Sequence, residues 1–268
     1  MIPGAPILAF ALILILPGAA FAQETRKPTL TGSAGVGAKP EYEGADTYEP
    51  LPLLAFDYEN RFIELRSRGL GIEADFIPAL SFQAGPLARY RGGRDNDVDN
   101  AAVAALAEVD DAIELGAYIG GGAPLQVLGI NDPGMVAGRL SFAHDVNEGH
   151  DGFLVEGSLS FIRPMTDDLK AIVSLSTSYA SGQYMDAFFD VSAADAIASG
   201  LAPFSASAGF KDVGITGVIT YAFTDNWSAS FIGNYTRLVG DAADSSIVRQ
   251  VGSPNQFFSG FSINYKAF

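Results

Sequence analysis

A period of two constrains this chain more than any other feature. Successive side chains of a strand point to opposite faces. In LKAIVSLSTSY, Leu169, Ala171, Val173, Leu175, Thr177 and Tyr179 therefore share one face, while Lys170, Ser174, Ser176 and Ser178 share the other. VGITGVITYAF repeats the pattern, with Val213, Ile215, Ile219, Tyr221 and Phe223 against Thr216 and Thr220. WSASFIGNYTRL sets Trp227, Ala229, Phe231, Gly233 and Tyr235 against Ser228, Ser230, Asn234 and Thr236. Less regular versions occur in FLVEGSLSF, LGIEADF and LSFQAGPLARY. A face carrying Lys and Ser cannot sit in hydrocarbon, so the apolar rows face lipid and the polar rows face an enclosed aqueous lumen. A soluble β-sandwich also alternates, but it turns its charges toward bulk water.

The first residues read as an export signal. Ile7 to Leu16 form an unbroken apolar run, followed by Pro17, Gly18 and the small-x-small triplet Ala20, Phe21, Ala22. The run is shorter than the ~20 residues of a spanning helix. Residues 1–22 are therefore expected to be a cleaved signal peptide, although Met1 to Pro6 carry no Lys or Arg. Residues 23–268 would then form the barrel. Hydrophobic residues make up 48% of the chain, yet no second long apolar stretch follows. That excludes helical membrane spans and fits apolar residues diluted by alternation. The absence of cysteine suits passage through the periplasm without a disulfide framework. A formal charge of −15 argues against nucleic acid, whose phosphates need Lys and Arg.

The fold expected is all-β: a closed antiparallel transmembrane β-barrel. Strands are expected near 30–38, 51–58, 61–67, 69–76, 81–90, 112–121, 134–144, 152–163, 169–180, 209–223, 227–238 and 257–266, twelve in all. The pair 61–67 and 69–76 also reads as one bent strand, and ten strands is the alternative count. The links at 164–168 and 224–226 are tight and those at 91–111, 181–208 and 239–256 are long, as periplasmic turns and extracellular loops are. Closure leaves no sheet edge unpaired in lipid. Tyr58, Tyr90, Tyr179, Trp227, Tyr235 and Tyr265 fall near strand ends and read as an aromatic belt at the membrane interfaces.

Tyr265 and Phe268 are candidates for the C-terminal signal read by the barrel-assembly machinery. Phe268 is one residue out of phase with Phe261, Ile263 and Tyr265, so either a terminal bulge absorbs the extra residue or recognition rests on Tyr265 as well. Asp57, Glu64, Arg66, Glu73, Asp75, Arg89, Glu114, Arg139, Glu156 and Lys170 are expected to face the lumen. A set of both signs pairs and plugs, and twelve strands lie between filled barrels and open channels. A narrow or occluded pore with slight cation preference follows.

Three further motifs have plain readings. The histidines, His144 and His150, lie in HDVNEGHDG beside Asp145, Glu148 and Asp151, and a solvated extracellular loop accounts for them. RDNDVDN places Asp95, Asp97 and Asp99 like a calcium loop, but Asn100 and Leu106 stand where such a loop needs Gly and Glu. SAADAIASG reads as a short helix with Ser192 as N-cap, Asp195 completing a capping box and Gly200 as the stop. Phe188, Phe189, Leu201 and Phe204 would anchor it over the barrel mouth. No catalytic residue, cofactor or metal is assigned.

Several stretches together resemble the MipA/OmpV family of MltA-interacting proteins. GVGAKPEYEGADTYEPLPLLAFDYENRFIEL is similar to the family's opening, with Pro40, Tyr42 and Gly44 in its Pro-x-Tyr-x-Gly segment. GPLARYRGGRDNDVDNAAVAALAEVDDAIELGAY resembles its first large loop, and the final third, with SAADAIASG and TRLVGDAADSSIV, is similar throughout. Ser246 replaces an expected proline and Ala267 lengthens the end. The resemblance implies a Gram-negative outer-membrane protein, set among lipid and lipopolysaccharide. It further implies a scaffold that joins a lytic transglycosylase to a murein synthase, a penicillin-binding protein. Other members are described as permeability proteins or adhesins, so a narrow small-solute channel and a surface adhesin are the alternatives.

Overall fold

The computed structural model describes residues 28–76 and 79–268, so the expected signal peptide lies outside the described residues. Twelve antiparallel strands close into one barrel, each paired with its sequence neighbours and β1 with β12. They are β1 (Thr29–Pro40), β2 (Tyr48–Glu59), β3 (Glu64–Arg68), β4 (Gly71–Asp75), β5 (Gln83–Arg91) and β6 (Ala112–Pro124). The second half comprises β7 (Met135–Asp145), β8 (Phe153–Pro164), β9 (Leu169–Ala180), β10 (Gly209–Ala222), β11 (Trp227–Leu238) and β12 (Asn255–Lys266). The tight turns at 164–168 and 224–226 and both ends of the barrel sequence share one rim, which the rule for such barrels makes periplasmic.

The count is twelve, and β3 and β4 are two strands rather than one bent one, since they pair with each other from Glu64↔Asp75 to Arg68↔Gly71 around a turn in which Gly69 adopts φ +57°. The outer wall carries the apolar rows read from the sequence. Leu54 is 78% exposed, Leu175 56% and Phe231 53%. Only hydrocarbon on that side makes such exposure tolerable. The facing wall of β8 to β12 is hydroxylated: Ser160 meets Ser174 at 2.7 Å, Thr220 meets Ser230 at 2.9 Å, and Asn264 donates to Ser228 and Ser230.

At the seam Leu30 opposes two residues, its carbonyl accepting from the Ala267 N–H and its own N–H donating to the Phe268 carbonyl. This is a β-bulge. It absorbs the extra residue and leaves Phe268 exposed beside the outward row ending at Tyr265. Of the six aromatics expected to form a belt, Tyr58, Trp227 and Tyr265 lie near the periplasmic rim and Tyr90, Tyr179 and Tyr235 near the opposite one, with the Trp227 and Tyr265 ring centroids 4.7 Å apart.

Candidate functional site

Five of the links at the extracellular end fold inward and fill the mouth. The 181–208 link carries α1 (Gly182–Phe189) and α2 (Ala193–Ser199), and the 239–254 link carries α3 (Gly240–Asp244) and α4 (Ser246–Val251). Ser181 caps α1 by accepting from the Tyr184 N–H, and α1 then drops Tyr184, Met185, Phe188 and Phe189 against Leu154 and Ala180 of the inner wall. A second cluster joins Tyr42, Val103, Leu106, Val191, Leu201 and Ile247, and Phe204 packs against both. Polar ties complete the lid. The buried Arg94 donates to the Phe188 carbonyl at 3.0 Å, and Ser245 Oγ donates to that of Phe189 at 2.6 Å. Gln256 receives the Gly44 N–H and donates to the Ala45 carbonyl.

The SAADAIASG reading holds in detail: Ser192 and Asp195 form the capping box and Gly200 ends α2 at φ +78°. Asp195 also accepts from the Ala107 N–H at 3.0 Å, fastening α2 to the 92–111 link. The Ser192 hydroxyl holds the Asp195 carboxyl below its usual range. A depressed folded pKa stabilises the lid above the unfolded value near ~4, and that stability is lost as pH falls through the folded pKa. Asp195→Asn is expected to cost about 1 kcal/mol locally, read as roughly fivefold faster amide exchange along 193–199 at neutral pH. In RDNDVDN, Asn100 Oδ1 accepts the N–H groups of Ala102 and Val103, so a turn is what this residue caps.

Beneath the lid lies a layer of paired charges. Glu114, fully buried, accepts from Arg89 Nε and Arg91 Nε, both at 2.6 Å, and lies 3.1 Å from His150 Nε2. Arg89 reaches Glu156 with Nη1 at 2.5 Å. Lys211 bridges Glu43 and Asp212, Ser178 donates to Asp212 at 2.6 Å, and the Tyr184 hydroxyl donates to Glu43 at 2.6 Å. Burial pushes the Tyr184 hydroxyl well above the usual phenol range, so it remains a donor. Lower down, Glu73 binds both Arg139 and Arg68, and Arg66 binds Glu64. Asp75 is buried beside this group, while Asp57 and Lys170 are exposed near the periplasmic end of the lumen.

Two histidine placements correct the sequence reading. His144 stands on the outer face of β7, its Nδ1 2.8 Å from the Gly152 carbonyl, and His150 is buried in the lumen. The Asp145 carboxylate folds this loop inward by accepting the N–H groups of Asn147, His150 and Asp151. Lys211 and Glu43 were missed as well. The register of β10 against β9 slips between Phe210 and Asp212. Such a bulge turns Lys211 inward beside Asp212. The available signal was a lysine on what simple alternation makes a lipid-facing position.

Over residues 33–267 the sequence matches the family described as MltA-interacting protein MipA. The chain belongs to this family. None of the curated proteins is similar enough in sequence to match it. Among solved structures, the NanC porin is similar at 8% identity and a TM-score of 0.48, covering 88% of this chain and 98% of that one. The anion-selective porin from Comamonas acidovorans is similar at 10% identity and a TM-score of 0.42, covering 90% and 99%. OmpT, an outer membrane protein of Vibrio cholerae, is similar at 8% identity and a TM-score of 0.37, covering 89% and 97%. Family and fold together make this member an outer-membrane β-barrel.

Proposed function

We propose that this barrel is a non-conducting scaffold with no catalytic, cofactor or metal site of its own. It is exported through the periplasm and inserted by the barrel-assembly machinery using Tyr265 and Phe268. Its periplasmic rim, with the segment 23–29, would dock a lytic transglycosylase and a penicillin-binding murein synthase. One observation carries this reading: the mouth is filled by buried side chains above a layer of paired charges. That arrangement suits a rigid anchor and is poor for solute flow. The family's description supplies the class of partner. The periplasmic link 125–134 supplies a contact surface, with Val127, Leu128 and Ile130 exposed around a 3-10 turn (Leu125–Leu128).

Immobilised full-length protein in detergent is expected to enrich a purified lytic transglycosylase over an unrelated barrel, and Val127→Asp with Ile130→Asp should reduce that enrichment. Equal capture by the unrelated barrel would sink the scaffold reading. A narrow channel is favoured by a different observation, the serine and threonine wall of the lower lumen with Asp57 and Lys170 exposed above the periplasm. Planar-bilayer recording separates the two, since the scaffold reading expects silence.

A further inference from the structure

Both histidines of the chain act on one glycine. His144 Nδ1 lies 2.8 Å from the Gly152 carbonyl, and a carbonyl only accepts, so that nitrogen carries a proton. The Gly152 N–H is donated to His150 Nδ1 at 3.0 Å, so this second nitrogen carries none. The hydrogen of the neutral His150 ring therefore sits on Nε2, which donates to Glu114 at 3.1 Å. Gly152 in turn presses against the lid. A Cβ there would come within 2.6 Å of both Ser181 Oγ and the Tyr184 nitrogen, at the cap and first turn of α1. The next residue, Phe153, donates its N–H to Ser181 Oγ at 2.9 Å. The bond between His150 and Gly152 thus fixes the seat on which α1 begins.

A second proton on this ring would have to enter at Nδ1, head-on against the Gly152 N–H. Turning the ring over gives no relief, because an imidazolium has two donors and no acceptor. Nor does either nearby carboxylate stand free. From β6 the ring faces Glu114, which Arg89 and Arg91 of β5 already share. From β7 it faces Asp145, which accepts the N–H groups of Asn147, Asp151 and His150 itself. From α1 it meets Tyr184 and Phe188, with ring centroids 4.9 and 5.9 Å away. Arg91 and Lys211 stand over that same Tyr184 ring, and Glu43 is bound to Lys211 and to the Tyr184 hydroxyl. Backbone strain points the same way. Glu148 at φ +63° and Asp151 at φ +54° hold left-handed conformations that residues other than glycine seldom adopt, so the 146–152 link relaxes once its ties are cut.

We propose that His150 is an acid-sensitive latch for the lid. Neutral, it holds Gly152 beneath α1; protonated, it lets go, and the 146–152 link and the start of α1 lift from the mouth. The sign follows from which state binds the proton. The seated lid requires the neutral ring and the unseated lid accepts the charged one, so seating is complete at high pH. It weakens as pH falls through the range in which imidazole changes charge, about 5 to 8, by up to about tenfold per pH unit. Carboxylates titrate lower, near ~4, so this loss precedes theirs. His144 keeps its Nδ1 proton in either charge state, so it contributes no latch. The device is independent of any periplasmic partner.

Amide exchange of the folded full-length protein in detergent, followed from about pH 7.5 to about pH 5, tests the latch. Rates are expressed as protection factors, so that the pH dependence of the chemical step cancels. Protection along 146–152 and 182–189 is expected to fall roughly tenfold or more over that range, while the paired amides of β9 and β10 hold theirs. His150→Asn keeps an acceptor for the N–H two residues on but takes no proton, and its lid should stay protected throughout. His144→Gln should respond as the native protein does. A flat native profile overturns the proposal, and so does an equal fall in His150→Asn. Should that variant not fold, histidine-ring NMR of the native protein decides, with His144→Gln identifying the buried ring. A loss of lid protection that does not coincide with protonation of that ring also overturns the latch.

Discussion

Replacing residues 183–205 with a short Gly/Ser link is expected to turn a silent barrel into one that conducts in resolved steps. β9 and β10 are hydrogen-bonded up to Ala180 and Gly209, so a short link can join them without moving the wall. The change removes Tyr184, Met185, Phe188 and Phe189 from the mouth and frees Glu43 and Lys211 from the ring above them. Tyr184→Phe, which loses only the hydrogen bond to Glu43, should stay silent because the ring still fills the space. Planar-bilayer recording of the three proteins checks this. A native barrel that conducts as well as the shortened one would show that the lid does not seal.

The second large effect is on stability. Glu114→Ala leaves the half-buried Arg89 and Arg91 facing each other without the buried carboxylate between them. Breaking such a pair from one side costs about 3–5 kcal/mol. In a barrel of this size that lowers the unfolding midpoint by roughly 10 °C. The loss of heat-modifiable mobility on gels follows it. Adding Arg91→Ala removes one stranded charge and should restore part of the loss. Asp132→Ala breaks the ion pair with Arg163 at the exposed periplasmic rim, and its cost should stay under about 1 kcal/mol.

What the sequence disclosed, and what it hid, follows from how local each cause is. The outward rows of β9, β10 and β11 were legible because one lipid boundary acts on every second residue. Likewise α2 was legible because its cap and stop lie within nine residues of each other. Glu43 and Tyr184 meet across 141 positions, and no local pattern announces that pairing. Lys211 was hidden because alternation assumes an unbroken register, and the slip after Phe210 reverses its face. His150 passed for a loop residue because the inward curl depends on Asp145 collecting three N–H groups, with Glu148 and Asp151 at positive φ. The shortness of β3 and β4 was partly visible, as doubt over whether they were one strand.

The most direct test of a sealed barrel uses the chain's lack of cysteine. Ser230→Cys places a thiol in the lower lumen and Phe231→Cys places one on the lipid face. Each is exposed to a membrane-impermeant maleimide, first on intact cells and then after the reagent is admitted to the periplasm. The lumenal cysteine should label only from the periplasmic side, and the lipid-facing one from neither. Labelling of the lumenal cysteine on intact cells at the periplasmic rate, or equal labelling of both positions, would contradict the account.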